Sequence, residues 1–82
     1  MSTIKVLFFA SLKEKVGTKQ LSLGLPDNSS VVDLRILLSD QYPGARESLR
    51  ACLVAVNRSF AFDQDMIPPE AEVAFFPPVS GG

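Results

Sequence analysis

The apolar residues of this chain change their spacing at Ser30, and that change limits the folds available to it. From Val31 onward they recur at helical intervals, and Ser30 with Asp33 has the pattern of an N-terminal capping box, with aspartate replacing the usual glutamate. Pro43 and Gly44 then end the pattern. The apolar face comprises Val31, Leu34, Leu37, Leu38 and Tyr42. The sequence therefore predicts one main helix that begins near residue 31.

The segments on either side of this helix have the composition of β-strands. Residues 4–10 are rich in β-branched and aromatic side chains, and Lys5 fixes which face of that strand is exposed. If Lys5 faces solvent, then Ile4, Val6 and Phe8 face the core. Further strands are predicted over residues 18–25 and 72–76. Residues 52–62 form one or two strands, with a tight turn or bulge at Asn57 and Arg58. Ser11 to Val16 forms a short helical or irregular turn.

The resulting element order, two strands, one helix and two or three strands, is that of the α+β class known as the β-grasp or ubiquitin-like fold. We expect a mixed sheet of four to five strands with the helix packed on one face. The first and last strands should lie parallel at the sheet centre, because both are rich in apolar residues. The predicted organisation is a β-grasp domain over residues 1–76 and an extended tail over residues 77–82.

Composition narrows the possible partners. The formal net charge is −1 and the isoelectric point is near 5.2, which disfavours nucleic acid as a partner. Cys52 is the single cysteine and histidine is absent, so neither a disulfide within the chain nor a zinc site is expected. The N-terminal apolar run is interrupted by Lys5 and is too short for a membrane span. The expected location is the cytoplasm, away from membranes.

Familiar catalytic patterns are absent from the sequence, which holds no histidine, glycine-rich phosphate loop or serine elbow. Asp63 and Asp65 lie in a proline-bounded loop with too few ligands for calcium, so a solvated loop is the simpler interpretation. Cys52 is predicted to be a buried structural thiol. The group Lys13, Lys15 and Lys19 is read as solvated surface.

Phenylalanine side chains mark a predicted contact surface. By strand parity, Phe75 points to the core and Phe76 to the opposite face, which the helix does not cover. Leu7 and Phe9 fall on that same uncovered face. Phe60 joins them if no bulge changes its parity. A cluster of exposed apolar side chains of this size predicts binding to a partner protein.

The segment "FFPPVSGG" adds a second predicted feature, an extended tail. Pro77 and Pro78 lack amide donors, so they end sheet pairing and direct the chain away from the domain. Fully extended, residues 77–82 reach about 20 Å, far enough to enter the active site of another protein. Gly81 and Gly82 have no Cβ and can pass through a narrow channel. The tail residues predicted to contact a partner are Pro77, Pro78, Val79, Ser80 and Gly81.

The stretches "IKVLFFASLKEKVG", "AVN" and "EVAFFPPVSGG" together resemble the MoaD/ThiS family of ubiquitin-like sulfur carriers, and the resemblance covers essentially the whole chain. The resemblance implies that Gly82 is the reactive residue. A ubiquitin-activating-like adenylyltransferase would use ATP to adenylate the Gly82 carboxylate. A sulfur donor protein would then convert the adenylated carboxylate to a thiocarboxylate. The tail would then insert into the large, catalytic subunit of molybdopterin synthase, where the sulfur passes to cyclic pyranopterin monophosphate. Phe9, Phe60 and Phe76 correspond to the family's apolar docking surface.

The same resemblance implies a non-catalytic subunit of a hetero-oligomer, without a permanently bound cofactor. Other functions remain open on the same fold. A sulfur carrier for thiamine synthesis or tRNA thiolation would share the glycine end, and so would a ubiquitin-like modifier joined to protein lysines. A passive interaction domain would use only the phenylalanine surface.

Overall fold

The computed structural model describes residues 2–77, and within them five strands form one mixed sheet in the order β2-β1-β5-β3-β4. The predicted tail residues Pro78 to Gly82 lie outside the described residues. The elements are β1 (Ser2–Phe8), α1 (Ser11–Val16), β2 (Gln20–Leu25), α2 (Val31–Gln41), a 3₁₀ turn (Pro43–Ala45), α3 (Arg46–Ala51), β3 (Leu53–Val56), β4 (Ser59–Ala61) and β5 (Glu72–Phe76).

The first and last strands lie side by side and run parallel, as the sequence predicts. β2 pairs antiparallel with β1 on one side, and β3 pairs antiparallel with both β5 and β4 on the other. This strand order, with α2 across one face, is the β-grasp fold and confirms the expected fold class.

The core lies between α2 and one face of the sheet, and it follows the predicted parity. Phe8 of β1 and Phe75 of β5 are almost fully buried, with ring centroids 5.9 Å apart. Tyr42, just after α2, meets the Phe8 ring edge-on at 6.5 Å. The other core side chains on these elements are Ile4, Val6, Val73, Val31, Leu34 and Leu38.

The predicted capping box at the start of α2 is present. The Asp33 amide donates to Ser30 Oγ at 3.3 Å, and the Ser30 amide donates to Asp33 Oδ2 at 3.0 Å. The loop before β5 supplies two further acceptors, because the Val31 and Val32 amides donate to the carbonyl oxygens of Asp65 and Asp63, each at 3.0 Å. The amides at this helix start are thereby satisfied, and the loop is held against it.

The structure contains a helix that the sequence analysis misses. Residues 46–51 form α3, whereas the polar stretch through Arg50 carries no predicted element. Strand boundaries also differ: β1 covers Ser2–Phe8 rather than residues 4–10, and β2 begins at Gln20 rather than Thr18. Ala10 has φ 52° and ψ −131°, a conformation incompatible with continuing the strand.

Arg35 of α2 joins α3 to the loop that precedes β5. Its Nη1 donates to the Leu49 carbonyl at 2.7 Å and to the Arg50 carbonyl at 3.3 Å, while its Nε pairs with Asp63 at 2.8 Å. The carbonyl groups at the end of a short helix otherwise lack partners. Arg35 thus provides these carbonyl groups with a donor. Asp63 is exposed, as the sequence predicts, and holds a defined ion pair with Arg35.

Candidate partner-binding surface

The face of the sheet opposite α2 carries a continuous row of apolar side chains. Leu7 lies opposite Ala74, Ala74 opposite Ala55, and Ala55 opposite Phe60, so the row crosses β1, β5, β3 and β4. Directly opposed residues share a face, because side chains alternate along each strand. The two alanines are small, and they leave a shallow groove of about 350 Å³ between Leu7 and Phe60.

The turn between β3 and β4 places Phe60 on this face. Asn57 and Arg58 have φ of 49° and 72°, the two positive values of a tight two-residue hairpin turn. A turn of this type inserts no extra residue, so the pairing of Ala55 with Phe60 continues directly from it. Phe60 is 74% exposed and points away from the core. The sequence left open a bulge that would reverse this parity, and the structure has none here.

A second row lies at the end of the sheet where residue 77 follows β5. Phe76 pairs in register with Leu53, and its ring stacks on that of Phe9 with centroids 4.7 Å apart and planes 10° from parallel. The Phe9 amide also donates to the Phe75 carbonyl at 3.2 Å, which extends the β1–β5 pairing by one residue. Ala10 then turns the chain sharply at positive φ. Backbone strain of this kind often accompanies functional positions, and here it directly follows an exposed aromatic ring.

The structure brings together the phenylalanines that the sequence selects. Phe9, Phe60 and Phe76 all lie on this surface with Leu7, and Pro77 follows Phe76 and is half-buried. The remaining predicted contact residues, Pro78, Val79, Ser80 and Gly81, lie outside the described residues, as does Gly82. We call the surface formed by Leu7, Phe9, Leu53, Ala55, Phe60, Ala74 and Phe76 the outer face.

Two exposed apolar residues beside these were missed by the sequence analysis. Leu53 is 45% exposed and Phe62 is 73% exposed, and together with Phe60 they line a groove at the β4 edge that also includes Arg35 and Asp63. The alternation in "SFAF" gives Phe62 the same strand parity as Phe60, and this is the sequence signal that would have predicted its exposure. The apolar surface therefore continues around the edge of the sheet.

The single thiol is not available for chemistry on this surface. Cys52 is 2% exposed; its Sγ donates to the Leu49 carbonyl at 3.1 Å and accepts from Arg35 Nη1 at 3.4 Å. Burial raises the pKa of the thiol, and the nearby Arg35 only partly opposes that effect. The neutral thiol is thus favoured, which confirms the predicted buried cysteine. Within residues 2–77, no three carboxylate or thiol side chains converge in a way that could hold a metal ion.

The helices in residues 2–77 are all too short or too polar to cross a membrane. The strand order and the single crossing helix instead define a ubiquitin-like β-grasp protein with an uncovered apolar face. A solved structure of the same fold is the putative molybdopterin converting factor subunit 1 of Pyrococcus furiosus, with a TM-score of 0.86 and 22% identity over 96% of this chain and all of that one. A second is the complex of subunits 1 and 2 of the molybdopterin-converting factor from Helicobacter pylori, with a TM-score of 0.68 and 21% identity over 98% of this chain and 99% of that one.

The chain belongs to the ThiS family, whose profile matches residues 6–82. It is 40% identical over 81 residues to the molybdopterin synthase sulfur carrier subunit of Dictyostelium discoideum, and the aligned region covers 95% of this chain and 94% of that relative. The alignment therefore includes both the sheet that carries the outer face and most of the rest of each chain.

Proposed function

We propose that this protein is a sulfur carrier for molybdopterin synthesis, and that Gly82 is its reactive residue. The observation that carries this proposal is the 40% identity, over 95% of the chain, to a molybdopterin synthase sulfur carrier subunit. The family match that continues through residue 82 supports the part played by the tail. The protein acts in the cytoplasm, where an activating enzyme has access to ATP.

The chemistry takes place at the Gly82 carboxylate in two steps. A carboxylate oxygen attacks the α-phosphate of ATP, pyrophosphate leaves, and an acyl-adenylate forms on an adenylyltransferase. Sulfide-level sulfur from a donor protein then attacks the carbonyl carbon, AMP leaves, and a thiocarboxylate forms; a persulfide donor would need a thiol reductant to supply the two electrons that release its sulfur. Glycine suits this position because it has no Cβ to block the approach to its carbonyl carbon.

The outer face holds the carrier on the large subunit of the synthase while the tail enters the active site. Residue 77 leaves the sheet directly after Phe76, so the stacked Phe9 and Phe76 rings lie at the base of the tail. Packing these rings against a partner fixes the starting point of the tail. The large subunit then supplies the groups that transfer sulfur to cyclic pyranopterin monophosphate, and it needs no catalytic side chain from the carrier.

Intact-mass spectrometry tests the activation step. The protein is incubated with ATP, the adenylyltransferase and a sulfur donor, and we expect one oxygen to be replaced by sulfur. The matched control lacks Gly81 and Gly82. It should have the wild-type circular dichroism spectrum and gain no sulfur.

Incubation of the thiocarboxylated protein with the large subunit and the pterin precursor tests the transfer step, with molybdopterin as the expected product. Sulfur delivered instead to a thiazole or to tRNA would identify a carrier for thiamine synthesis or tRNA thiolation. Recovery of Gly82 mainly in isopeptide linkage would identify a protein modifier. If the variant without Gly81 and Gly82 kept full function, the protein would be a passive interaction domain.

A further inference from the structure

Four exposed cationic side chains border the outer face, in addition to the partly buried Arg35 at its β4 edge. Lys13 and Lys19 line a depression together with Leu7 and Phe9, at the end of the sheet where residue 77 follows β5. At the opposite end Arg58 lines the central groove, and Lys5 shares the outer face by strand register, two residues before Leu7. All four are exposed. We call Lys5, Lys13, Lys19 and Arg58 the cationic rim.

The carboxylates of the chain are distributed differently. Glu72 shares the outer face, and Asp63 lines the groove at its β4 edge, where it is paired with Arg35. The chain has nine acidic and eight basic residues in total. The cationic rim thus holds half of the basic residues and shares the outer face with one acidic residue, Glu72. The other residues include eight acidic and four basic side chains, so the excess of negative charge lies outside this group, although the net charge of the chain is only −1.

Lys15 shows that this arrangement is not a general property of the lysine-rich α1 segment. Its Nζ donates to Ser48 Oγ of α3 at 2.6 Å, on the side of the molecule away from the outer face. From the sequence, Lys13, Lys15 and Lys19 are predicted to form one solvated group. The structure separates them: two border the apolar surface and one ties α1 to α3.

Resting on the proposed function, we propose that the cationic rim recognises carboxylates that border the apolar docking site of the large subunit. Exposed charges at the edge of an interface act mainly on the rate of association, because they orient the partners before the apolar surfaces meet. The cationic rim lies at two opposite ends of the outer face. It therefore favours an apolar patch with acidic groups at both ends and disfavours a uniformly basic surface.

Association kinetics with the purified large subunit test the proposal, using Lys13→Glu/Lys19→Glu against Arg46→Glu/Arg50→Glu. The control pair changes the net charge by the same amount, but its arginines are exposed on α3, away from the outer face. At low ionic strength the rim variant should associate about tenfold more slowly than wild type, and the control should stay within about twofold. The difference should shrink as salt rises, because the screening length is about 3 Å at 1 M. The dissociation rates should agree within about twofold.

Equal slowing of both variants would show a net-charge effect and overturn the proposal, as would an unchanged association rate in the rim variant. If the double charge reversal unfolds the chain, Lys13→Gln/Lys19→Gln replaces it, with a smaller slowing in the same direction. Tight binding of a fluorescent RNA oligomer that is lost in the rim variant would overturn the assignment to a protein partner. A different result would show that the proposed function is wrong: the wild-type protein would then neither bind the large subunit nor transfer sulfur to the substrate of that subunit.

Discussion

Replacing each of the two phenylalanines at the end of β5 with alanine should produce opposite phenotypes. Phe75 is fully buried, and its ring packs on Phe8 at 5.9 Å. Truncating such a ring costs about 3–5 kcal/mol, because the lost transfer energy is joined by the cost of a cavity. A chain of 82 residues has a total stability of roughly 4–12 kcal/mol, so Phe75→Ala should be severely destabilised or unfolded.

Phe76 is half-buried and makes its main ring contact with Phe9, on the outer face. Losing a stacked aromatic pair costs about 1 kcal/mol, so Phe76→Ala should keep the fold. An aromatic residue near the centre of an interface contributes about 2 kcal/mol or more to binding. The dissociation constant for the large subunit should therefore rise about 30-fold. Phe76→Asp should weaken binding further, because its carboxylate would lose water in the interface.

Urea denaturation and titration calorimetry with the large subunit measure these two effects separately. Phe75→Ala should shift the denaturation midpoint strongly, and Phe76→Ala should shift it little but reduce affinity. Phe9→Ala serves as the matched control, since it removes the other ring of the same stack and should behave like Phe76→Ala. Unfolding of Phe76→Ala, or wild-type affinity in that variant, would refute the assignment of the outer face as the docking surface.

Further predictions concern local features of the domain. Ser30→Ala removes the capping box of α2 and should lower the free energy of unfolding by about 1 kcal/mol, measured by urea denaturation. Arg58→Gly relieves a positive φ and should stabilise the protein by up to about 1 kcal/mol, while slowing association with the large subunit at low salt. Because burial raises the pKa of Cys52 above its usual value of 9.0, the unfolded state loses this proton first and stability should fall as pH rises through that region. The urea midpoint of Cys52→Ala should fall less than that of wild type over the same pH range, and parallel curves would contradict this reasoning.

Strand parity was the part of the fold most open to prediction. A lysine in β1 and a glutamate at the start of β5 each mark the solvent-facing side, and the alternation of side chains fixes the rest of the strand. The assignments of Phe75 to the core and Phe76 to the outer face are confirmed for that reason. The capping box was equally predictable, because its hydrogen bonds join residues three apart in the chain.

The missed features depend on contacts between distant segments. Helix α3 has Leu49 as its one large apolar residue, so its short sequence shows little apolar periodicity. Arg35 ends α3 by binding the Leu49 carbonyl, and it is held in turn by Asp63, 28 residues further along the chain. Nothing local to residues 46–51 reveals these partners. Helix propensity alone is a weak guide when tertiary contacts complete a short helix.

The exposed aromatic residues of the outer face follow from the size of the chain. A domain this small has one main helix, and that helix can cover only one face of a five-stranded sheet. A monomer would normally place polar side chains on the uncovered face, as an antiparallel sheet with one solvated side does. Here the centre of that face is apolar and its charged residues lie around the margin. Such a surface lowers solubility and adds little to the core, so a second protein that covers it is the simplest reason for its presence.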